Sequence, residues 1–192
     1  MFSSAVLDRL TRVHPVVPPL LFAPAIAVTF ALGQEGVAAP SVVALLIAGY
    51  VAWSLTEYWM HRVIFHFEPE QGIGARLHWM IHGVHHDHPN DPMRLVMPPS
   101  VSVPLALAFY GLFHLTVGGQ YADLVACGFL AGYLAYDMTH YALHHRTPST
   151  RVGRFFYEVH MRHHFQDETR GYGVSVPFMD YVFGTQVRRR RR

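Results

Sequence analysis

Apolar residues fall along this chain in long blocks, separated by short connections or by stretches dense in charge and histidine. Four blocks, at about 15–32, 40–60, 100–117 and 121–142, approach or reach the roughly 20 residues that a helix needs to cross a bilayer. The connections at 33–39 and 118–120 are short, so the blocks pair into two antiparallel helical hairpins. The expected fold is therefore all-α and integral to a membrane, with four transmembrane helices and two long polar regions, 61–99 and the stretch after 142. The first block carries Pro18, Pro19 and Pro24 near its start, and proline disrupts a helix interior. A removable leader is the alternative reading of it, disfavoured because no small-x-small cleavage site follows a short apolar core.

Charge orients this arrangement. All fifteen basic residues are Arg, and each lies before the first block, within 61–99 or beyond 142. The positive-inside rule then places both termini and both polar regions in the cytoplasm, at the inner membrane if the source is bacterial. The net charge of +2 conceals that segregation, as a mean hydropathy of +0.17 conceals the apolar blocks. A length of 192 residues suits a single domain, 1–192. The one cysteine, Cys127, excludes a disulfide framework and any cysteine-based zinc or iron–sulfur site. Residues 188–192 form an Arg tail, a solvated charge run able to touch anionic lipid. No nucleic-acid partner is expected.

The chain has fifteen histidines, and thirteen of them collect at the ends of the second and fourth blocks and in the two polar regions. They form His61-Arg-Val-Ile-Phe-His66, His82-Gly-Val-His85-His86, His140-Tyr-Ala-Leu-His144 and His160-Met-Arg-His163-His164. Residues three and four apart share a helix face, so His82, His85 and His86 are expected to converge, and likewise His160, His163 and His164. His140 and His144 stack one above the other. His61 and His66, five apart, splay around a regular helix; that suits ligands to two different ions or a distortion at the helix end. Neutral imidazole is a good ligand for iron, zinc, copper or nickel. Ten such ligands are too many for one ion and fit two ions with about five each. Single histidines at such places commonly cap helices, but scattered structural histidines have no reason to gather at one depth.

Metal-bound histidines usually donate their second N–H to a carboxylate or carbonyl. Glu57, four before His61, and Asp137, three before His140, are the candidates for that supporting catalytic role. His78, His88 and His145 are spare, and His78 could replace one of the ligands named.

These blocks resemble the membrane fatty acid hydroxylase superfamily, which includes sterol desaturases. The run Pro89-Asn-Asp91-Pro-Met-Arg94-Leu-Val-Met-Pro98-Pro99 and the closing Gly171-Tyr-Gly-Val-Ser with Asp180-Tyr-Val-Phe-Gly184-Thr185 resemble its fatty acid 2-hydroxylase branch in particular. Tyr136-Asp137 with His140 and His144 is similar to a third motif of the branch. The match covers about 50–186. The resemblance implies four membrane helices under a cytoplasmic helical cap, and ten histidine ligands, all present here. It implies two iron ions, dioxygen as co-substrate and a hydroxyl inserted at C2 of the acyl chain of a membrane lipid; zinc fits the same ligands in purified material. Eukaryotic members of the branch often carry an N-terminal haem domain. No such segment precedes residue 15 here, so a separate electron donor of cytochrome or ferredoxin type is expected. Tyr136 and Arg94 are candidate substrate contacts, with Arg146 a further cation near a head group. Phe65, Phe67, Trp79, Met80, Tyr110 and Tyr141 could line a path for the acyl chain. The competing readings are a sterol or carotenoid oxidase with the same metal chemistry, and a non-catalytic membrane zinc-binding protein or transporter. A transporter should hold its ligands near the bilayer midplane, whereas these lie beyond the helix ends.

Overall fold

The computed structural model describes residues 8, 12–67 and 71–188, the side chains of 77, 80 and 81 excepted. The expected roles of Met80 and of Arg189–192 lie outside what is described. The described chain is helical, with α1 at Val17–Gln34, α2 at Ala39–Trp59, α3 at Gly72–His78, α4 at Val84–Asp87, α5 at Pro99–Thr116, α6 at Gly119–His145, α7 at Arg151–Phe165 and α8 at Phe178–Val182. Two π-helical turns interrupt the series, π1 at Met60–Phe65 and π2 at Trp79–Gly83.

The chain forms two compact units. The first comprises Met1–Leu55 and Met93–Met138, and holds α1, α5 and most of α2 and α6. In α1, Pro18 and Pro19 occupy the first turn, where a helix has no use for the missing N–H; only Pro24 lies inside it. Pro99 starts α5 in the same way. Three helical stretches, Val17–Gln34, Ala39–Phe65 and Pro99–Thr116, are long and apolar enough to cross a membrane, and their most apolar windows are only 22%, 17% and 6% buried. Leu20, Val28, Leu32, Ile47, Leu107 and Leu115 all face outward. Helices that are hydrophobic on every side and mostly uncovered fit a lipid surrounding.

The fourth expected block is also a helix, but it differs in kind. It runs to 27 residues and is not among the apolar stretches long enough and hydrophobic enough to cross a membrane, because Asp123, Asp137 and several Tyr and His residues dilute it. The reason is packing: Ala122–Leu130 of α6 is continuously buried. Phe22 of α1 meets Tyr133 at 4.6 Å between ring centroids, Trp53 of α2 meets Phe129 at 5.3 Å and Phe109 of α5 meets Phe129 at 4.5 Å. The α2 and α6 backbones touch through Gly49 and Gly128, where an added Cβ would lie 2.0 Å from the Val125 carbonyl and 2.1 Å from the Leu46 carbonyl. Small residues permit that approach between membrane helices. The polar groups of α6 are met within the unit. Asp123 accepts from Tyr110 Oη at 2.7 Å and lies 3.1 Å from His114 Nε2. Asp137 accepts from Met97 N and Tyr133 Oη, each at 3.2 Å.

The second unit comprises Thr56–Pro92 and Thr139–Arg192. It holds π1, α3, π2, α4, the end of α6, then α7, α8 and the loops that close the chain. Thr150 caps α7, its Oγ1 accepting from Gly153 N at 3.0 Å. Tyr58, Tyr172, Val176 and Met179 form a buried apolar cluster, and the histidine blocks lie in this unit.

Candidate metal centre

All ten candidate histidines fall in the second unit and form two groups of five. The first is His61, His66, His82, His86 and His163; the second is His85, His140, His144, His160 and His164, with candidate ligand atoms of each group within 4.8 Å of one another. The grouping departs from the expectation that each HxxHH block converges on one point. His82 and His86, four apart, share a site, as do His160 and His164, but His85 and His163 each go to the other. Four residues on an α-helix return to nearly the same direction, while the residue between them lies well round the helix. Each HxxHH block thus bridges both sites.

His61 and His66 do meet in one site, through a distortion at the helix end and not through ligation of two ions. The chain leaves α2 in π1, where bonds run from i to i+5. His66 N donates to the His61 carbonyl at 3.2 Å, so residues five apart come into line. His78, one of the spares, donates from Nε2 to the Phe65 carbonyl at the end of that turn. His145 instead packs its ring on Tyr141 at 4.6 Å.

The facing atoms are Nε2 throughout. In the first site His61 Nε2 lies 3.2 Å from both His66 and His82, His66 lies 3.2 Å from His163, and His86 lies 2.9 Å from His82. In the second, His140 to His85 is 2.9 Å, His85 to His164 is 3.1 Å and His144 to His160 is 2.8 Å. Two nitrogens bound at right angles to one first-row ion, each at about 2.0–2.1 Å, stand roughly 3 Å apart. Protonation settles the matter for two of the rings. His61 Nδ1 donates to the Tyr172 carbonyl and His163 Nδ1 to the Arg170 carbonyl, each at 2.7 Å. A carbonyl only accepts, so both rings carry their proton on Nδ1 and turn a bare lone pair inward. Two lone pairs turned into the first group with no cation would repel one another, which fits a metal ion there; the second group shares its five-imidazole, Nε2-facing geometry.

Burial and then the neighbouring imidazoles hold these rings neutral. They push His66 down to about 3 and His86 to about 2. They lower His82, His85, His160 and His164 as well. His144 and His163 fall to about 4, chiefly through burial. At neutral pH these rings are therefore uncharged, each with one ring nitrogen free of a proton.

A family assignment follows from comparison with other proteins. The profile described as fatty acid hydroxylase matches residues 46–185, a stretch containing all ten histidines. This chain belongs to the fatty acid hydroxylase family. It is 33% identical to the dihydroceramide fatty acyl 2-hydroxylase FAH2 of Arabidopsis thaliana over 96% of this chain and 78% of that protein. It is 38% identical to the human fatty acid 2-hydroxylase over 73% of this chain, which spans only 39% of the human protein. Among solved structures, full-length scs7p with only its hydroxylase domain visible superposes with a TM-score of 0.91 at 33% identity, covering 98% of this chain and 72% of that one.

Within this family member, the supporting residues differ in detail from those read off the spacing. Glu57 is buried and accepts from Ser175 N at 2.7 Å and from Ser175 Oγ. The atom that meets His61 Nδ1 is the Tyr172 carbonyl. Asp137 anchors Met97 N and Tyr133. Arg94 is buried, its Nη2 donating to Asp8 at 2.6 Å, and Tyr136 packs on Trp53 at 5.7 Å. Spacing gave no sign of the Arg170 and Tyr172 carbonyls, because a backbone acceptor leaves no mark in a sequence. Asp180, named only as part of a motif, is the hub that holds those carbonyls. It is 1% exposed and accepts from Tyr172 N and Gly173 N at 2.9 Å each and from Thr185 Oγ1 at 2.7 Å.

Proposed function

We propose that this chain is an oxygen-dependent di-iron enzyme that hydroxylates C2 of the acyl chain of a membrane lipid. The observation that carries the reading is the pair of five-imidazole groups, whose inward Nε2 atoms fit two ions. The chain is an enzyme of the fatty acid hydroxylase family, an oxidoreductase acting on fatty acyl chains. The Arabidopsis and human relatives are named as 2-hydroxylases, the former a dihydroceramide fatty acyl 2-hydroxylase, which supports position C2 and a sphingolipid-type acyl substrate.

An unactivated C–H bond needs an oxidant stronger than any side chain. Iron ions, held by the ten histidines, would supply that oxidising power: dioxygen, two electrons and two protons would turn C–H into C–OH and release the second oxygen atom as water. The chain's own part is to hold and to orient. His61, His66, His82, His86 and His163 would hold one ion, and His85, His140, His144, His160 and His164 the other. Each HxxHH block contributes to both groups, so each would help to hold both ions. Glu57 and Asp137 act at one remove, Glu57 by pinning Ser175 and Asp137 by pinning Met97 and Tyr133. Tyr136 and Arg94 are the substrate contacts we propose; Arg94 already holds Asp8, so its replacement should raise KM through loss of local order as well as of charge.

We read α6 as a fourth crossing, shielded from lipid by its neighbours, with both termini and the histidine-rich unit cytoplasmic. The confinement of Arg to those regions supports this orientation. Electrons would come from a separate cytochrome- or ferredoxin-type donor. The test is expression in a host lacking 2-hydroxy acyl lipids, with iron and a competent reductase, followed by lipid mass spectrometry. Oxygen-dependent 2-hydroxy chains are expected; their absence would overturn the reading.

A further inference from the structure

We infer that the two metal sites are unequal: the closing loop, pinned by Asp180, locks the site of His61, His66, His82, His86 and His163, so this site keeps its ion longer than the other. The inference rests on reading both groups as metal sites.

A ring that binds through Nε2 carries its proton on Nδ1, and an acceptor there fixes the ring's orientation and strengthens it as a ligand. The first site has such acceptors. His61 and His163 donate to the Tyr172 and Arg170 carbonyls, and the Glu168 carboxylate lies 3.8 Å from His86 Nδ1. In the second site, Nδ1 of His85, His160 and His164 is buried with no hydrogen-bond partner among the described residues. Those rings are held by packing alone at the atom where the first site has a bond.

Both carbonyls flank Gly171, whose φ of +82° suits glycine and strains other residues. An added Cβ would also come 2.8 Å from Val187 Cγ2. Gly171 N donates to the Thr185 carbonyl at 2.8 Å. Asp180 fixes the next two residues through Tyr172 N and Gly173 N and accepts a hydrogen bond from the Thr185 hydroxyl. Thr185 Oγ1 has then only lone pairs left for Tyr58 Oη, 2.8 Å away, so Tyr58 donates to it. Arg62 Nη1 in turn donates to Tyr58 at 3.2 Å. A polarised chain from Arg62 to Asp180 therefore sets the height of two carbonyls against two histidines of one site. Asp180 is a positioning residue: it acts on the rings through the loop. Asp180→Asn keeps the shape but turns an N–H toward at least one of three donors.

The intact protein in detergent, loaded with Zn(II) alone, is exposed to excess chelator while released zinc is followed. Two ions per chain are expected, leaving in two steps of one ion each. His160→Ala should lack the fast step and His82→Ala the slow one. Asp180→Asn should speed the slow step by roughly 10–100-fold and leave the fast step unchanged. Should Asp180→Asn fail to fold, Thr185→Val, which removes one of the bonds to Asp180, should speed the same step by less. A single step for both ions, a slow step assigned to the second site, or variants that speed both steps or neither would overturn the inference and leave the proposed function standing. No bound zinc would overturn both.

Discussion

At the scale of single residues, burial keeps the imidazoles neutral, and His61 and His163 turn their lone pairs into the same group. Those properties have a pH signature. A histidine whose folded pKa is depressed takes up its proton more readily unfolded, so its contribution to stability is complete above about 6.5 and is lost as pH falls through the window toward the folded value. For His66 and His163 that window runs from 6.5 down to about 3 and about 4. Metal-free protein should therefore lose thermal stability steadily between pH 6.5 and 4, and show little change between 7 and 8; an unfolding temperature that rises on acidification would contradict the burial of these rings. The same protons compete for the atoms that bind metal, so bound metal should be released over the acid range. That the ten histidines gather was legible in the spacing of the sequence, because HxxHH and HxxxH blocks recur four times. Partition between the two groups was not, because His85 and His82 differ only by a helical rotation that must be seen against the facing helix. Tautomer was not legible either, being set by the backbone oxygens of Arg170 and Tyr172.

At the scale of elements, two departures from regular α-helix do the positioning. π1 aligns His61 with His66, and the Gly171 turn presents the carbonyls. In the first unit, α6 depends on close approach by α2. Gly49→Val should therefore be costly, since its first side-chain atom would fall 2.0 Å from the Val125 carbonyl. Overpacking usually costs about 1–3 kcal/mol, and backbone contact leaves nothing flexible to yield. A clear fall in the unfolding temperature in detergent is expected, with no fall telling against the helix contact. The four long helices α1, α2, α5 and α6 were readable from hydropathy. The nature of α6 was readable only in part: its length was plain, whereas the shielding that lets Asp123 and Asp137 sit inside it depends on Tyr110, Tyr133 and Met97 arriving from elsewhere or from one helical turn away.

At the scale of the whole molecule, the proposed work divides between two units: the apolar helical unit faces lipid and the histidine-rich unit holds the metal groups. The family assignment rests on 46–185, so residues beyond that stretch should matter less to turnover. Removing 189–192 should leave hydroxylation in membranes close to that of the full chain at equal metal content; a loss of turnover there would give the Arg tail a part in catalysis. His163→Ala, by contrast, should abolish hydroxylation, because it strips the first site of a ligand tied to the Arg170 carbonyl. Everything proposed here depends on ten histidines holding two ions in two groups. The most direct measurement is elemental analysis of the purified, iron-loaded chain beside its His163→Ala variant. Two ions per intact chain and one per variant chain are predicted; an intact chain without metal, or a variant with unchanged metal content, would contradict it.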